Sequence, residues 1–131
     1  MINPERLTVK AGEALNDAVS LARRNGNPVV YDLHLLAALL DQDEGIVVPV
    51  LQKLGASVAS LRDQVKREID RFPKQSDAQP NASRELNQVF DRAEDEAKKL
   101  GDEYSSTEHL LLALSEVKAE SRNLLTAAGA T

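Results

Sequence analysis

Two short stretches of this chain are nearly alike: residues 32–39 read DLHLLAAL and residues 107–114 read TEHLLLAL. Each begins with polar residues and then becomes apolar on nearly every side, which is typical of a short helix enclosed by other helices. Aligning His34 with His109 also aligns Gly26 with Gly101 and several apolar residues, namely Ala18, Ala22, Leu35, Leu36, Ala38 and Leu39 with Ala93, Ala97, Leu110, Leu111, Ala113 and Leu114. The pattern indicates an internal duplication.

The first copy predicts four helices. Apolar residues recur with helical spacing between Thr8 and Asn25, and Asn25-Gly26 supplies a stop. The second helix covers residues 33–40 with Asp32 as its N-cap, and the third runs from about Pro49 to Gly55. Ser57 is predicted to cap the fourth helix, which ends before Pro73.

The second copy predicts three more helices. The fifth carries an apolar stripe from Leu86 to Leu100, and the seventh spans about residues 120–128 before Gly129. Ser105 and Glu108 have the spacing of a capping box in front of the sixth helix. The first copy continues into a fourth helix whereas the second stops at Thr131, so we expect an eighth helix to have been cut away.

These patterns predict an all-α fold in one domain, residues 1–131, built from two copies about a pseudo-twofold axis. The first copy spans residues 1–72 and the second spans residues 82–131. Between them, PKQSDAQPN at residues 73–81 has two prolines and no large apolar residue, which is typical of an exposed linker. The duplication is longer than the repeats that stack into solenoids, which favours a single two-copy unit.

Composition narrows the functional classes. The chain has no cysteine, so thiol nucleophiles, disulfides and thiolate metal sites are absent from it, and a reducing compartment such as the cytoplasm fits. The net charge is −5, and no basic stripe suggests a nucleic-acid partner. No apolar run is long enough to span a membrane.

The duplicated pattern, with LHLLAALL in one copy and DEYSSTEHLLLALSE in the other, resembles the N-terminal domain of Clp-class hexameric AAA+ unfoldases. RFP followed by a polar linker is closest to the ClpB-type disaggregases within that class. The resemblance covers the whole chain and implies a longer parent protein that uses ATP and Mg²⁺. This chain has no G-x-x-x-x-G-K-[ST] sequence, so we expect no cofactor within it.

No catalytic or metal site is predicted. His34 and His109 are the only histidines, and their neighbours are leucine and alanine rather than further ligands. Both are interpreted as packing and capping residues of the duplicated motif. Glu108 and His109 are adjacent on a helix and point about 100° apart, with no nucleophile in view, so the chain is not predicted to be an enzyme.

The resemblance implies four substrate-binding residues. By position these are Thr8, Asp102 and Glu108, with Phe90 at the floor of a groove between the copies. Each also has a structural interpretation: a helix cap for Thr8, a capping box for Glu108 and core packing for Phe90. Arg92, Glu96 and His109 stand where some relatives carry leucine, which predicts a smaller or more polar groove.

The acids of the fifth helix and the turn after it form another candidate surface. These are Asp91, Glu94, Asp95, Glu96, Asp102 and Glu103. They could face a basic peptide, but such a run is usually the solvated side of an amphipathic helix, and we favour that interpretation.

The function predicted is non-catalytic recognition of unfolded or aggregated polypeptide on behalf of a disaggregase hexamer. Through the parent the DnaK chaperone system is a further candidate partner, and the isolated domain is expected to be a monomer. The alternatives are a phosphoarginine receptor, as the ClpC-type resemblance implies, and a ClpA-type docking module for an adaptor. The receptor would use a Glu in each copy, yet Leu33 stands where the first copy would need it.

Overall fold

The computed structural model describes residues 2–77 and 79–130. Seven α-helices lie within these residues, at the following bounds: α1 Val9–Arg24, α2 Asp32–Leu40, α3 Val47–Lys53, α4 Val58–Asp70, α5 Arg84–Lys99, α6 Thr107–Glu116 and α7 Glu120–Ala127. A short 3₁₀ turn at Pro4–Arg6 precedes α1. The predicted all-α fold with seven helices is confirmed.

Several helix ends follow the predicted chemistry. The side chain of Ser57 accepts a hydrogen bond from the backbone N–H of Ser60 at the start of α4. Gly26 and Gly101 follow α1 and α5 with positive φ, 71° and 76°, a conformation that glycine adopts without steric strain. The same stop signal therefore closes the first long helix of each copy.

Asp32 does not cap its own helix as predicted. Tyr31 is the N-cap of α2, and its backbone N–H donates to Nδ1 of His34 at 2.8 Å. The buried carboxylate of Asp32 instead accepts the backbone N–H of Ser121, the second residue of α7, at 2.8 Å. Asp32 thus stabilises a helix of the other copy, and an acid near a helix N-terminus is favoured by the helix dipole.

The linker is less free than its composition predicts. At its end, β2 (Asn81–Ala82) pairs in parallel with β1 (Val29–Val30), with Val30 opposite Ala82. Leu7 forms an isolated parallel bridge with Ser105. In each case the segment before a long helix pairs with the segment before the short apolar helix of the other copy, so backbone hydrogen bonds join the two copies reciprocally.

One hydrophobic core serves both copies. Leu35 and Leu36 of α2 belong to the same buried cluster as Leu110 and Leu114 of α6, together with the alanines that line α1. The small side chains of Ala11, Ala14, Ala18 and Ala22 are 0% exposed, which lets α1 pack closely on α2. This packing leaves a groove on one side of the molecule.

Candidate functional site

The groove lies between α3 of the first copy and α6 of the second, and we call it the inter-repeat groove. Its volume is about 730 Å³. The lining residues come from both copies: Thr8, Val50, Leu51, Leu54, Leu100, Asp102, Glu103, Tyr104, Ser106, Glu108, His109, Leu111, Leu112, Ser115, Leu125 and Ala130. The resemblance predicts a groove between the copies, but with its floor near Phe90 rather than against α3.

The groove gathers exposed apolar side chains. Among the described residues, six large apolar side chains are exposed, and four of them line this groove: Leu54, Leu100, Tyr104 and Leu112. The other two are Val9 and Ile46. Exposed apolar side chains scattered singly need no explanation, but a concentration of them in one concave surface is typical of a binding site.

Three of the four predicted site residues line the inter-repeat groove, and one does not. Thr8 approaches from the start of α1, Asp102 from the turn after α5, and Glu108 from the first turn of α6. Phe90 is 4% exposed within the core cluster and is not among the lining residues. The structure therefore supports the core interpretation of Phe90 and not its placement at the groove floor.

Sequence reasoning missed the part of the apolar lining that comes from α3 and from the ends of α3 and α5, namely Val50, Leu51, Leu54 and Leu100. Leu54 and Leu100 each immediately precede a glycine that ends a helix, and they are 51% and 69% exposed. A large apolar residue directly before a glycine that ends a helix is the signal that could have identified them.

Thr8 has the capping role that the sequence indicates. Its side chain accepts the backbone N–H of Ala11 at 3.2 Å, and its own backbone N–H donates to the carbonyl of Ser105 at 3.0 Å. Thr8 is thereby fixed against the second copy, at the point where the two copies meet beside the groove.

Glu108 does not cap α6, which corrects the predicted capping box of Ser105 and Glu108. The N-cap is Ser106, whose backbone N–H donates to Nδ1 of His109 at 2.9 Å, while its hydroxyl accepts the backbone N–H of His109. Ser105 is engaged elsewhere, because its backbone pairs with Arg6 and Thr8. Glu108 is exposed on the groove, and its side chain has no role in the cap.

The two histidines cap their helices, as predicted, but in different surroundings. His34 is 0% exposed, its Nε2 lies 2.9 Å from Oδ1 of Asn27, and the ring of Phe72 packs over it with centroids 5.4 Å apart. Burial lowers the pKa of His34 from 6.5 to about 4, because desolvation disfavours the charged ring. His109 lines the groove instead, and its Nε2 lies 3.3 Å from Oδ2 of Asp102.

Most acids of α5 are engaged with basic neighbours. Glu96 lies within 4 Å of both Arg92 and Lys99, and Glu94 lies 3.7 Å from Lys98. This agrees with the interpretation of the α5 acids as a solvated helix face. Arg92 also lies 3.4 Å from Glu116. Of the three polar residues that stand where some relatives carry leucine, only His109 lines the groove, so Arg92 and Glu96 do not alter its lining.

Within residues 2–77 and 79–130, metal-binding clusters and membrane-spanning helices are both absent. In these ranges, no three His, Cys, Asp or Glu side chains come together as a metal site would require. Of the helices described, none is both long and apolar enough to cross a membrane.

The comparisons with known proteins agree with this architecture. The model of the Clp repeat (R) N-terminal domain matches residues 6–128. Chaperone protein ClpB of Propionibacterium freudenreichii subsp. shermanii is 41% identical over 99% of this chain, which spans about 15% of that relative's length. The ClpB of Porphyromonas gingivalis is 38% identical over 99% of this chain, which again spans about 15% of that relative's length.

Solved structures show the same fold. The Hsp104 N-terminal domain from Candida albicans has a TM-score of 0.83 at 24% identity, over 95% of this chain and 83% of that one. A ClpV N-domain in complex with a VipB peptide has a TM-score of 0.75 at 24% identity, over 95% of this chain and 80% of that one. With a family model matched over most of its length, this chain belongs to the Clp repeat N-terminal domain family, whose domain is not itself catalytic.

Proposed function

We propose that the inter-repeat groove binds apolar segments of unfolded or aggregated polypeptide, and that the chain is the substrate-recognition domain of a ClpB-type protein disaggregase. The observation that carries this proposal is the gathering of four exposed large apolar side chains in one groove whose rim holds Thr8, Asp102 and Glu108. The ClpV N-domain bound to a VipB peptide is a precedent for peptide binding on this fold.

Apolar contact would supply most of the affinity. Covering the leucines of the groove releases about 25 cal/mol for each Å² of apolar surface removed from water. Association must also offset the lost translational and rotational freedom of the peptide, so we expect dissociation constants on the order of tens of micromolar or weaker. Weak, reversible capture suits a domain that raises the local concentration of a substrate and then releases it to the rest of the machine.

The rim would set orientation rather than affinity. Asp102, Glu103 and Glu108 line the groove, and no Lys or Arg stands among the described residues that do so. Exposed charges at a rim are screened by salt and contribute little net energy each, but they favour substrates with basic residues beside the apolar segment.

The phosphoarginine alternative gains no support from the geometry. It needs an acidic residue in each copy, and in the first copy that position is Leu33, which is 0% exposed in the core. Any such site would be limited to the second copy.

The parent protein in this proposal is a cytoplasmic AAA+ hexamer that hydrolyses ATP with Mg²⁺ and works with the DnaK chaperone system, while the isolated domain is a monomer. The ClpB relatives motivate this context. Sedimentation of the isolated domain and of the full-length protein with ATP tests the two oligomeric states. A stable oligomer of the domain alone would contradict the proposed monomer.

A matched pair of substitutions tests the groove. Leu112 and Ile46 are 41% and 42% exposed, but only Leu112 lines the groove. Binding of a fluorescein-labelled, leucine-rich peptide, followed by fluorescence anisotropy, should weaken about threefold or more in Leu112→Ser, on the basis of one lost apolar contact. It should be unchanged in Ile46→Ser. Equal effects of the two substitutions would contradict the proposal.

A further inference from the structure

His109 connects the start of α6 to the acidic rim of the groove. Its Nδ1 faces the backbone N–H of Ser106 at 2.9 Å and the hydroxyl of Ser106 at 3.0 Å. An N–H donor must meet a lone pair, so Nδ1 is the acceptor of the neutral ring and the hydrogen of the ring lies on Nε2. Nε2 lies 3.3 Å from Oδ2 of Asp102.

Asp102 is held by this contact and remains accessible. Its side chain is 51% exposed, and among the described residues His109 is its only side-chain partner. An ionised carboxylate has about four lone-pair sites, so the contact with His109 leaves acceptor capacity for a ligand.

The first copy contains the same pair without the charge. At the position of Asp102 it has Asn27, which is 0% exposed. Oδ1 of Asn27 meets Nε2 of His34 at 2.9 Å and the side-chain amide of Asn25 at 3.0 Å, while its own amide donates to the carbonyl of Pro73 at 3.1 Å. An amide therefore suffices to hold a capping histidine in this fold. The carboxylate at position 102 adds a negative charge that the structural role does not require.

We propose that His109 is a positioning residue that holds the Asp102 carboxylate as the acceptor for a lysine or arginine side chain of the bound segment. The inter-repeat groove would then select apolar segments that carry a basic residue. Glu103 and Glu108 strengthen the negative potential around Asp102, because no cation lines the described groove. This inference rests on the proposed function and assigns its specificity to one pair of side chains.

The test uses two probes that differ in one charge. They are a fluorescein-labelled, leucine-rich decapeptide with a single central lysine and the same peptide with norleucine in place of the lysine. The variants are Asp102→Asn, which keeps an acceptor for His109 but removes the charge, and His109→Asn, which keeps an acceptor for the Ser106 amide but removes the donor to Asp102. Asp41→Asn is the control, because it removes an equal charge at a side chain that is 78% exposed and outside the groove.

Binding of the lysine peptide should weaken by about three- to tenfold in Asp102→Asn and in His109→Asn, as expected for loss of a charge-assisted hydrogen bond at a partly exposed site. Binding of the norleucine peptide should not change in either variant, and Asp41→Asn should affect neither peptide. The double variant should bind the lysine peptide as tightly as the single variant with the larger loss, because both changes remove the same contact between Asp102 and the lysine.

Equal losses for both peptides would overturn the inference and leave His109 with a structural role alone. Additive losses in the double variant, or no preference of the unsubstituted domain for lysine, would also overturn it while leaving the proposed function standing. If the unsubstituted domain binds neither peptide, the proposed function fails and the inference fails with it. If His109→Asn does not fold, His109→Gln is the second variant. Its longer side chain can place an N–H near Asp102, so it should preserve the preference for the lysine peptide. Loss of that preference would count against the inference.

Discussion

The short helices α2 and α6 begin with the same capping histidine but differ in what surrounds it. In the first copy, Tyr31 and Phe72 pack with ring centroids 4.2 Å apart beside His34, which is 0% exposed. In the second copy, His109 is 8% exposed and lines the inter-repeat groove. A duplicated motif can therefore be enclosed in the core in one copy and line an open groove in the other, depending on what covers it.

The chemical type of the polar partner of each histidine also depends on how far that partner is buried. A buried polar group must be hydrogen-bonded and is preferably neutral, and Asn27 satisfies both conditions. A half-exposed group can carry charge because water still solvates it, and Asp102 does. The comparison predicts that substitutions at equivalent positions will affect stability in the first copy and binding in the second.

The largest expected difference concerns two aligned leucines. Leu36 is 0% exposed, and Leu36→Ala should lower the free energy of unfolding by about 3 to 5 kcal/mol, since it leaves a cavity in the core. Leu111 is 9% exposed on the groove, and Leu111→Ala should cost about 2 kcal/mol because the groove wall has more room to relax. Urea denaturation measures both values, and a larger loss for Leu111→Ala would reverse the comparison.

Exchanging Asn27 for Asp and Asp102 for Asn should also have unequal effects on the free energy of unfolding. Asn27→Asp places a carboxylate where no water reaches and loses the hydrogen bond to the carbonyl of Pro73, so it should destabilise the domain by about 2 to 4 kcal/mol at pH 7. Asp102→Asn should change stability by less than about 0.5 kcal/mol, as is usual for an exposed position. Thermal or urea unfolding of the two variants, side by side, checks this, and similar losses in both would contradict it.

Acid should act on the first copy through His34. Because burial lowers the pKa of His34 to about 4 from 6.5, the folded state binds fewer protons than the unfolded state between these values. The contribution of His34 to stability is complete above pH 6.5 and is lost as the pH falls toward 4, by up to about 3 kcal/mol. Urea unfolding of the unsubstituted domain and of His34→Gln at pH 7, 5.5 and 4.5 isolates this contribution. Parallel pH profiles would show that His34 is not its source.

The smallest effect is expected at Glu108. Since Ser106 and His109 form the cap of α6, Glu108→Ala should alter the free energy of unfolding by less than about 0.5 kcal/mol. It should weaken binding of the lysine peptide about twofold, because one rim charge is lost. A stability loss of 1 kcal/mol or more with unchanged binding would restore a capping role for Glu108.

The helices and their pairing into copies could be predicted from the sequence because they depend on local signals. Apolar spacing and a following glycine locate α1 and α5, and the repeated apolar stretch locates α2 and α6. Capping was harder to predict. Ser105 and Ser106 both stand three residues before a side chain that can accept a hydrogen bond, and the choice depends on the pairing of Ser105 with Arg6, a contact distant in sequence.

The candidate site was only partly predictable for the same reason. The resemblance to the Clp family indicated Thr8, Asp102 and Glu108, which the fold brings to one groove. Phe90 was indicated too, but successive residues of a helix point about 100° apart, and the packing of α5 turns this one into the core. Val50 and Leu54 join the groove only through packing of α3 against the other copy, which no local pattern of the sequence encodes.

The central claim is that polypeptide binds in the inter-repeat groove and not at the equivalent face of the first copy. The most direct measurement is an amide NMR titration of the ¹⁵N-labelled domain with the leucine-rich lysine peptide. We expect saturable shifts that map to Leu54, Asp102, Glu108 and Leu112, with the amides around His34 unchanged. Shifts confined to the exposed face of α5, or spread equally over both copies, would contradict the claim.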